Sequence, residues 1–131
     1  VISELRKARN GKAHPNVVNW AESVDSECQY ISVISIMEIE QGILQISRRD
    51  SKQGDKLMHW LETQILKHFK RRILSIDLLT ARTCANLHVP DPRPERDALI
   101  AATGIANNLT VVTRNTIDFE PMNVKILNPW L

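Results

Sequence analysis

The chain has 131 residues, 43% hydrophobic and 24% charged, which suits one globular domain, residues 1–131, with a real core and too little chain for two. No apolar run approaches the roughly 18 residues of a membrane-spanning helix, and Arg6, Lys7, Arg9 and Lys12 are followed by no apolar core of a signal peptide, so a cytoplasmic protein is predicted. A net charge of +2, from 17 basic and 15 acidic residues, leans only mildly toward nucleic acid, although basic residues cluster at Arg6–Lys12, Arg48–Arg49 and Lys67–Arg72 in a way that suits a phosphate backbone. Cys28 and Cys84 have no CxxC partner and read as buried thiols. His14, His59, His68 and His88 have no zinc-site spacing.

Val1–Lys7 predicts a short helix broken at Asn10-Gly11. A second helix opens at His14-Pro15, where a proline costs no helical hydrogen bond, and runs to Val24 with Val17, Val18 and Ala21 on its apolar face. Gln29–Val33 reads as a strand. From Ile36 to Arg48 the apolar residues Ile36, Ile39, Ile43 and Ile46 recur at helical spacing. Lys52–Phe69 carries the clearest stripe, with Leu57, Trp60, Leu61, Ile65, Leu66 and Phe69 on one side. A short β-rich run at Arg72–Ile76 precedes a helix over Leu78–His88. Pro90, Pro92 and Pro94 then stiffen a loop before a helix over Glu95–Asn107. Leu109–Thr113 and Asn123–Leu127 complete the strands. Short apolar strands alternating with helices imply parallel pairing through helical crossovers, hence a three-layer α/β/α sandwich with a mainly parallel central sheet.

In such sheets ligands sit beyond the carboxyl ends of the strands, and three acids fall there. Glu38 follows the strand Gln29–Val33, Asp97 lies in the first turn after the proline loop, and Asp118 lies just past Leu109–Thr113. Carboxylates gathered together repel unless a cation joins them, and Mg²⁺ or Mn²⁺ is the hard ion that takes oxygen ligands and supports phosphodiester cleavage. Each acid also has a plain structural reading. Ser35-x-x-Glu38 fits a capping box, Asp97 could complement a helix dipole, and Asp118 could stabilise a turn.

Four segments in register favour the chemical reading. Val1-Ile2-Ser3-Glu4 resembles the tail of the PIN-domain opening, in which a strand ends in Leu-Asp-Thr-Asn. Glu38 followed by Gly42 is similar to the second motif of that family. Arg96-Asp97 through Thr103 resembles the third, and Thr113-Arg114-Asn115 through Asp118-Phe119 the fourth. The ending Leu127-Asn128-Pro129-Trp130 is like that of FitB-type members. The resemblance, to PIN-domain ribonuclease toxins of the VapC/FitB type, spans the whole chain.

It implies Glu38, Asp97 and Asp118 as catalytic acids and metal ligands for Mg²⁺ or Mn²⁺, with Asn115, where some members have aspartate, as a further metal ligand that competes with Asp118 for the approach to the metal, and Thr113 as an orienting hydroxyl. Glu40 competes with Glu38 but points off that helix face. The family's first aspartate should precede Val1, so the first strand is expected to be missing from this chain, and about ten more N-terminal residues are expected in the native product. The implied function is a metal-dependent endoribonuclease with an RNA substrate, inhibited by a cognate antitoxin protein, forming a homodimer and a toxin–antitoxin hetero-oligomer. The alternative is a catalytically inactive PIN-like module that binds RNA or protein. A receiver- or phosphatase-like domain would need Asp77 as phosphoacceptor and a lysine at the end of the strand Leu109–Thr113, where Arg114 stands instead.

Overall fold

A computed structural model describes the backbone of residues 1–131 and every side chain except those of Ala8 and Arg9, so Arg9 of the first basic cluster lies outside the described residues. The chain divides into two compact units, one of Gln29–Ser75 and one of Val1–Cys28 with Ile76–Leu131.

In the unit of residues 29–75, β1 (Ile31–Ser32) pairs in parallel with β2 (Ile73–Leu74), Ile31 opposite Ile73 and Ser32 opposite Leu74. Parallel neighbours need a crossover, and helices supply it. α3 (Val33–Ser47) begins three residues before the expected Ile36 because Ser32 caps it, its Oγ accepting the Ser35 N–H at 3.0 Å. The cap stops the strand that β-branched Val33 would otherwise prolong. Asp50 caps α4 (Ser51–Trp60) through the Gln53 N–H at 3.1 Å. The helix continues as a π-helical turn over Leu61–Ile65 and ends in α5 (Leu66–His68). Ile43, Leu57 and Leu61 form the core, with Ile39, Ile46, Met58, Trp60, Ile65 and Leu66 packed on it. Arg72, part of the third basic run, is committed to structure. Its Nη1 donates to the Gln29 carbonyl at 2.8 Å, its Nη2 donates to the His68 carbonyl, and its guanidinium lies 5.3 Å from the Phe69 ring centre.

In the other unit, α1 (Ile2–Arg6) passes through a 3₁₀ turn, Lys7–Asn10, to Gly11, whose φ of +66° suits glycine at the break. α2 (Pro15–Ser23) is capped by His14, whose Nδ1 accepts the Asn16 N–H at 3.1 Å. α6 (Leu78–Leu87) is capped by Asp77, which accepts both the N–H and the hydroxyl of Thr80, at 2.8 and 2.7 Å. Those bonds hold the Asp77 carboxyl below its ordinary pKa, and they make it a cap rather than a phosphoacceptor. α7 (Glu95–Ala106) buries Ala98, Ala101, Ala102, Thr103 and Gly104. A Cβ on Gly104 would meet Val124 and the Leu109 carbonyl at 3.2 and 3.3 Å, so the small face allows close approach to the strand region.

β3 (Val111–Val112) pairs in parallel with β4 (Ile126–Leu127). The bonding reaches one residue further, the Thr113 N–H donating to the Leu127 carbonyl at 2.9 Å. Between them lies an unexpected short helix, α8 (Thr116–Phe119). Cys84 joins Ala98, Ala101, Ala102, Val111, Phe119, Met122 and Val124 in the core. Cys28, expected to be buried, is exposed, because it ends a surface 3₁₀ turn, Ser26–Cys28. The α/β architecture with parallel strands is the one expected, but the strands form two separate two-stranded ladders, β1–β2 and β3–β4, rather than one central sheet, each shorter than the apolar runs that encode it. Among the described residues no helix is long and apolar enough to cross a membrane.

Candidate metal centre

Asp97 is the third residue of α7, whose N-cap is Pro94 and whose first turn has no side-chain cap. It is half-buried. A helix N-terminus favours the ionised carboxylate, yet the Asp97 pKa is raised, first by burial and then by the nearby Asp118 charge.

Asp118 stands in the first turn of α8. The loop before it is held at successive points. The Thr113 hydroxyl accepts the Asn115 N–H at 3.0 Å, the Arg114 carbonyl accepts the Thr116 N–H at 3.0 Å, and Asn115 Nδ2 donates to Asp118 Oδ2 at 2.7 Å. A carboxylate only accepts, so the amide nitrogen must face Asp118, which leaves Asn115 Oδ1 available as an acceptor. The sequence left Asn115 and Asp118 as competitors for the metal, and the structure joins them in one arrangement.

Glu38 belongs to the other unit. It lies in the second turn of α3 rather than the first, exposed, and the capping-box reading does not hold because Ser32, not Ser35, is the N-cap. Glu40, two residues on and about 200° round the helix, is also exposed.

Among the described residues no three or more His, Cys, Asp or Glu side chains gather as a metal-holding group. The assembled part is therefore the Asp97–Asp118 pair with the amide oxygen of Asn115. All three offer hard oxygen donors, and the Asp118 charge that, after burial, disfavours ionisation of Asp97 is one a divalent cation would neutralise, so the residues present suit a hard divalent cation. A further contact reaches this loop from the end of the chain. The Arg114 guanidinium lies 5.5 Å from the Trp130 ring centre, an approach whose only sequence signal was the Asn-Pro-Trp ending.

The family model described as PIN domain matches residues 1–122. The chain is 32% identical over 135 residues to the VapC ribonuclease Y4jK of Sinorhizobium fredii, covering 99% of this chain and 93% of that protein. It is 35% identical over 137 residues to the toxin FitB of Neisseria gonorrhoeae, covering 99% and 94%. It superposes with a TM-score of 0.86 on a chain in the crystal structure of FitAcB from Neisseria gonorrhoeae, at 29% identity and covering 98% and 94%. The parallel α/β fold and these likenesses agree: the chain belongs to the PIN-domain family, among its VapC/FitB-type toxins.

Proposed function

We propose that this chain is a divalent-metal-dependent endoribonuclease, the toxin half of a toxin–antitoxin pair, with residues 1–131 acting as one cytoplasmic domain. The observation that carries the reading is the half-buried Asp97 beside Asp118, with Asn115 bound to Asp118. A relative named as a VapC ribonuclease and another named as the toxin FitB support it.

Asp97 and Asp118 would hold the cation through carboxylate oxygens, and Asn115 would offer Oδ1, its Nδ2 being bound to Asp118. Thr113 fixes the Asn115 backbone, so the amide oxygen is oriented in advance. Glu38 is the third acid assigned to the metal. Mg²⁺ or Mn²⁺ bound there supplies water activation and charge neutralisation for in-line hydrolysis of an RNA phosphodiester. Burial of Asp97 excludes part of the solvent that would otherwise screen these charges. The inhibitor in this reading is a cognate antitoxin protein, and the toxin pairs as a homodimer and with the antitoxin as a hetero-oligomer.

A second reading, a PIN-like module that binds RNA or protein without cutting, draws on Asn115 standing where some members have an acid. Incubating the purified chain with a structured RNA in Mg²⁺, in Mn²⁺ and in EDTA, beside Asp97→Ala, separates the two. Metal-dependent cleavage lost in the variant supports the nuclease. Intact RNA in every condition, both from the folded chain and from one extended by a strand ending in Leu-Asp-Thr-Asn, decides for the binding module.

A further inference from the structure

Arg114 sits between Thr113 and Asn115, in the loop whose bonds set the Asn115–Asp118 pairing. Such a position invites an ion pair with the nearby acids, but among the described residues Arg114 makes none, and its guanidinium lies over Trp130 instead. Trp130 is itself fixed. Its carbonyl accepts Asn16 Nδ2 from α2 at 2.9 Å, and its N–H donates to Asn128 Oδ1 at 2.9 Å. The loop backbone is tied down by the Thr113 and Arg114 bonds described above, so both ends of the stacked pair are anchored.

An aromatic face holds a guanidinium by cation–π attraction without occupying its N–H donors. Arg114 is exposed, so its fork remains free to take an oxyanion in a bidentate manner. It is a held, desolvation-tolerant cation one residue from Asn115 in the loop proposed to bind the metal, an arrangement suited to a phosphate next to the one being cut.

We propose that Arg114, held against Trp130, is a substrate-positioning residue that binds an RNA phosphate flanking the scissile one. This rests on the nuclease reading above. Trp130 acts through Arg114 and keeps its guanidinium over the loop.

The test uses two measurements. The first is anisotropy of a fluorescein-labelled, mixed-sequence 16-nucleotide RNA with Asp97→Asn protein, with and without Arg114→Ala, across a salt series. The second is the steady-state cleavage kinetics of the otherwise unaltered chain. Arg114→Ala is expected to weaken binding about tenfold, as loss of a charge-assisted bond does. It should also lower the slope of log K against log salt by about 0.7, one phosphate neutralised on a single strand. In cleavage the change should fall on KM more than on kcat.

Trp130→Leu should weaken binding by about threefold, Trp130→Phe should restore most of that, and Arg114→Ala should remove the difference between them. Arg82→Ala, an exposed cation on α6, controls for loss of general charge and should leave the slope nearly unchanged. Cleavage with an unchanged KM, affinity and slope in Arg114→Ala overturns this proposal and leaves the nuclease reading intact. Equal slope losses in Arg114→Ala and Arg82→Ala also overturn it. Absence of both cleavage and RNA binding overturns the two together.

Discussion

Asp97 carries a consequence that can be measured without any RNA. Its folded-state pKa is raised above the ordinary 3.8 by burial and by Asp118. The folded state therefore holds the Asp97 proton more tightly than the unfolded chain does. The stability this proton confers is fully present below pH 3.8 and is lost as pH rises through the raised value. Asp97→Asn removes the charge, so at pH 7 it should be more stable than the parent, and the advantage should shrink toward zero as pH falls to about 3.8. Urea midpoints between about pH 3.5 and 7 check this, and a gap that does not vary with pH would show that no such carboxyl strain exists. Saturating Mg²⁺ should narrow the gap at neutral pH, because the cation neutralises what the substitution removes. Glu38 and Asp118 stand out in the sequence because each follows an apolar strand run, where an α/β sheet gathers ligands, whereas Asp97 follows the proline loop and is marked by its motif rather than by a strand. The Asn115–Asp118 bond does not stand out, because it depends on α8, a four-residue helix containing β-branched Thr116 and Ile117 that no periodicity announces.

At the scale of elements, α3 and α4 owe their approach to Gly54. A Cβ there would fall on the Ser47 side chain and lie 2.8 Å from the Ser47 α-carbon. Alanine raises intrinsic helix propensity by about 1 kcal/mol, whereas overpacking against backbone costs about 1–3 kcal/mol. The clash involves backbone as well as a movable hydroxyl, so overpacking wins and Gly54→Ala should lower stability. Ser47→Ala in addition should recover only part of the loss, since the clash with the Ser47 backbone remains. A rise in the urea midpoint of Gly54→Ala would contradict this packing. At the other end of α3, Ser32→Ala should cost about 1 kcal/mol as a lost N-cap. These two residues also show how far pattern reading reaches. The stripe Ile36, Ile39, Ile43, Ile46 announced α3 correctly, because burying one face is what forms it. Its start was read three residues late, because Val33 and Ile34 favour strand and only the Ser32–Ser35 bond overrides them. Helical periodicity likewise found the rod from Ser51 to His68 but not its π turn, since Leu61 and Ile65 satisfy an apolar face in either geometry.

For the whole chain, the two units have separate cores of unequal size. Among the described residues one gathers Cys84, Ala98, Ala101, Ala102, Val111, Phe119, Met122 and Val124, the other Ile43, Leu57 and Leu61. Protection from hydrogen exchange follows local burial and cooperative opening, so the amides of Ala101–Gly104 in α7 should be the last to exchange, with those of α3 and α4 opening at lower free energy. Metal turns the same measurement into a test of which acids serve as ligands. A ligand at about 100 times its Kd stabilises the states that retain its site by about 2.7 kcal/mol, roughly 100-fold in exchange rate. With Asp97 and Asp118 as ligands, Mg²⁺ should slow exchange in α7 and α8. With Glu38 as the third ligand, openings of α3 that release the cation are also penalised, and the α3 amides should slow with them. Slowing in α7 and α8 with α3 unchanged would remove Glu38 from the metal and leave a site of Asp97, Asp118 and Asn115. Slowing in none of them would leave the Asp97–Asp118 pair without a bound cation and remove the metal from the proposed site.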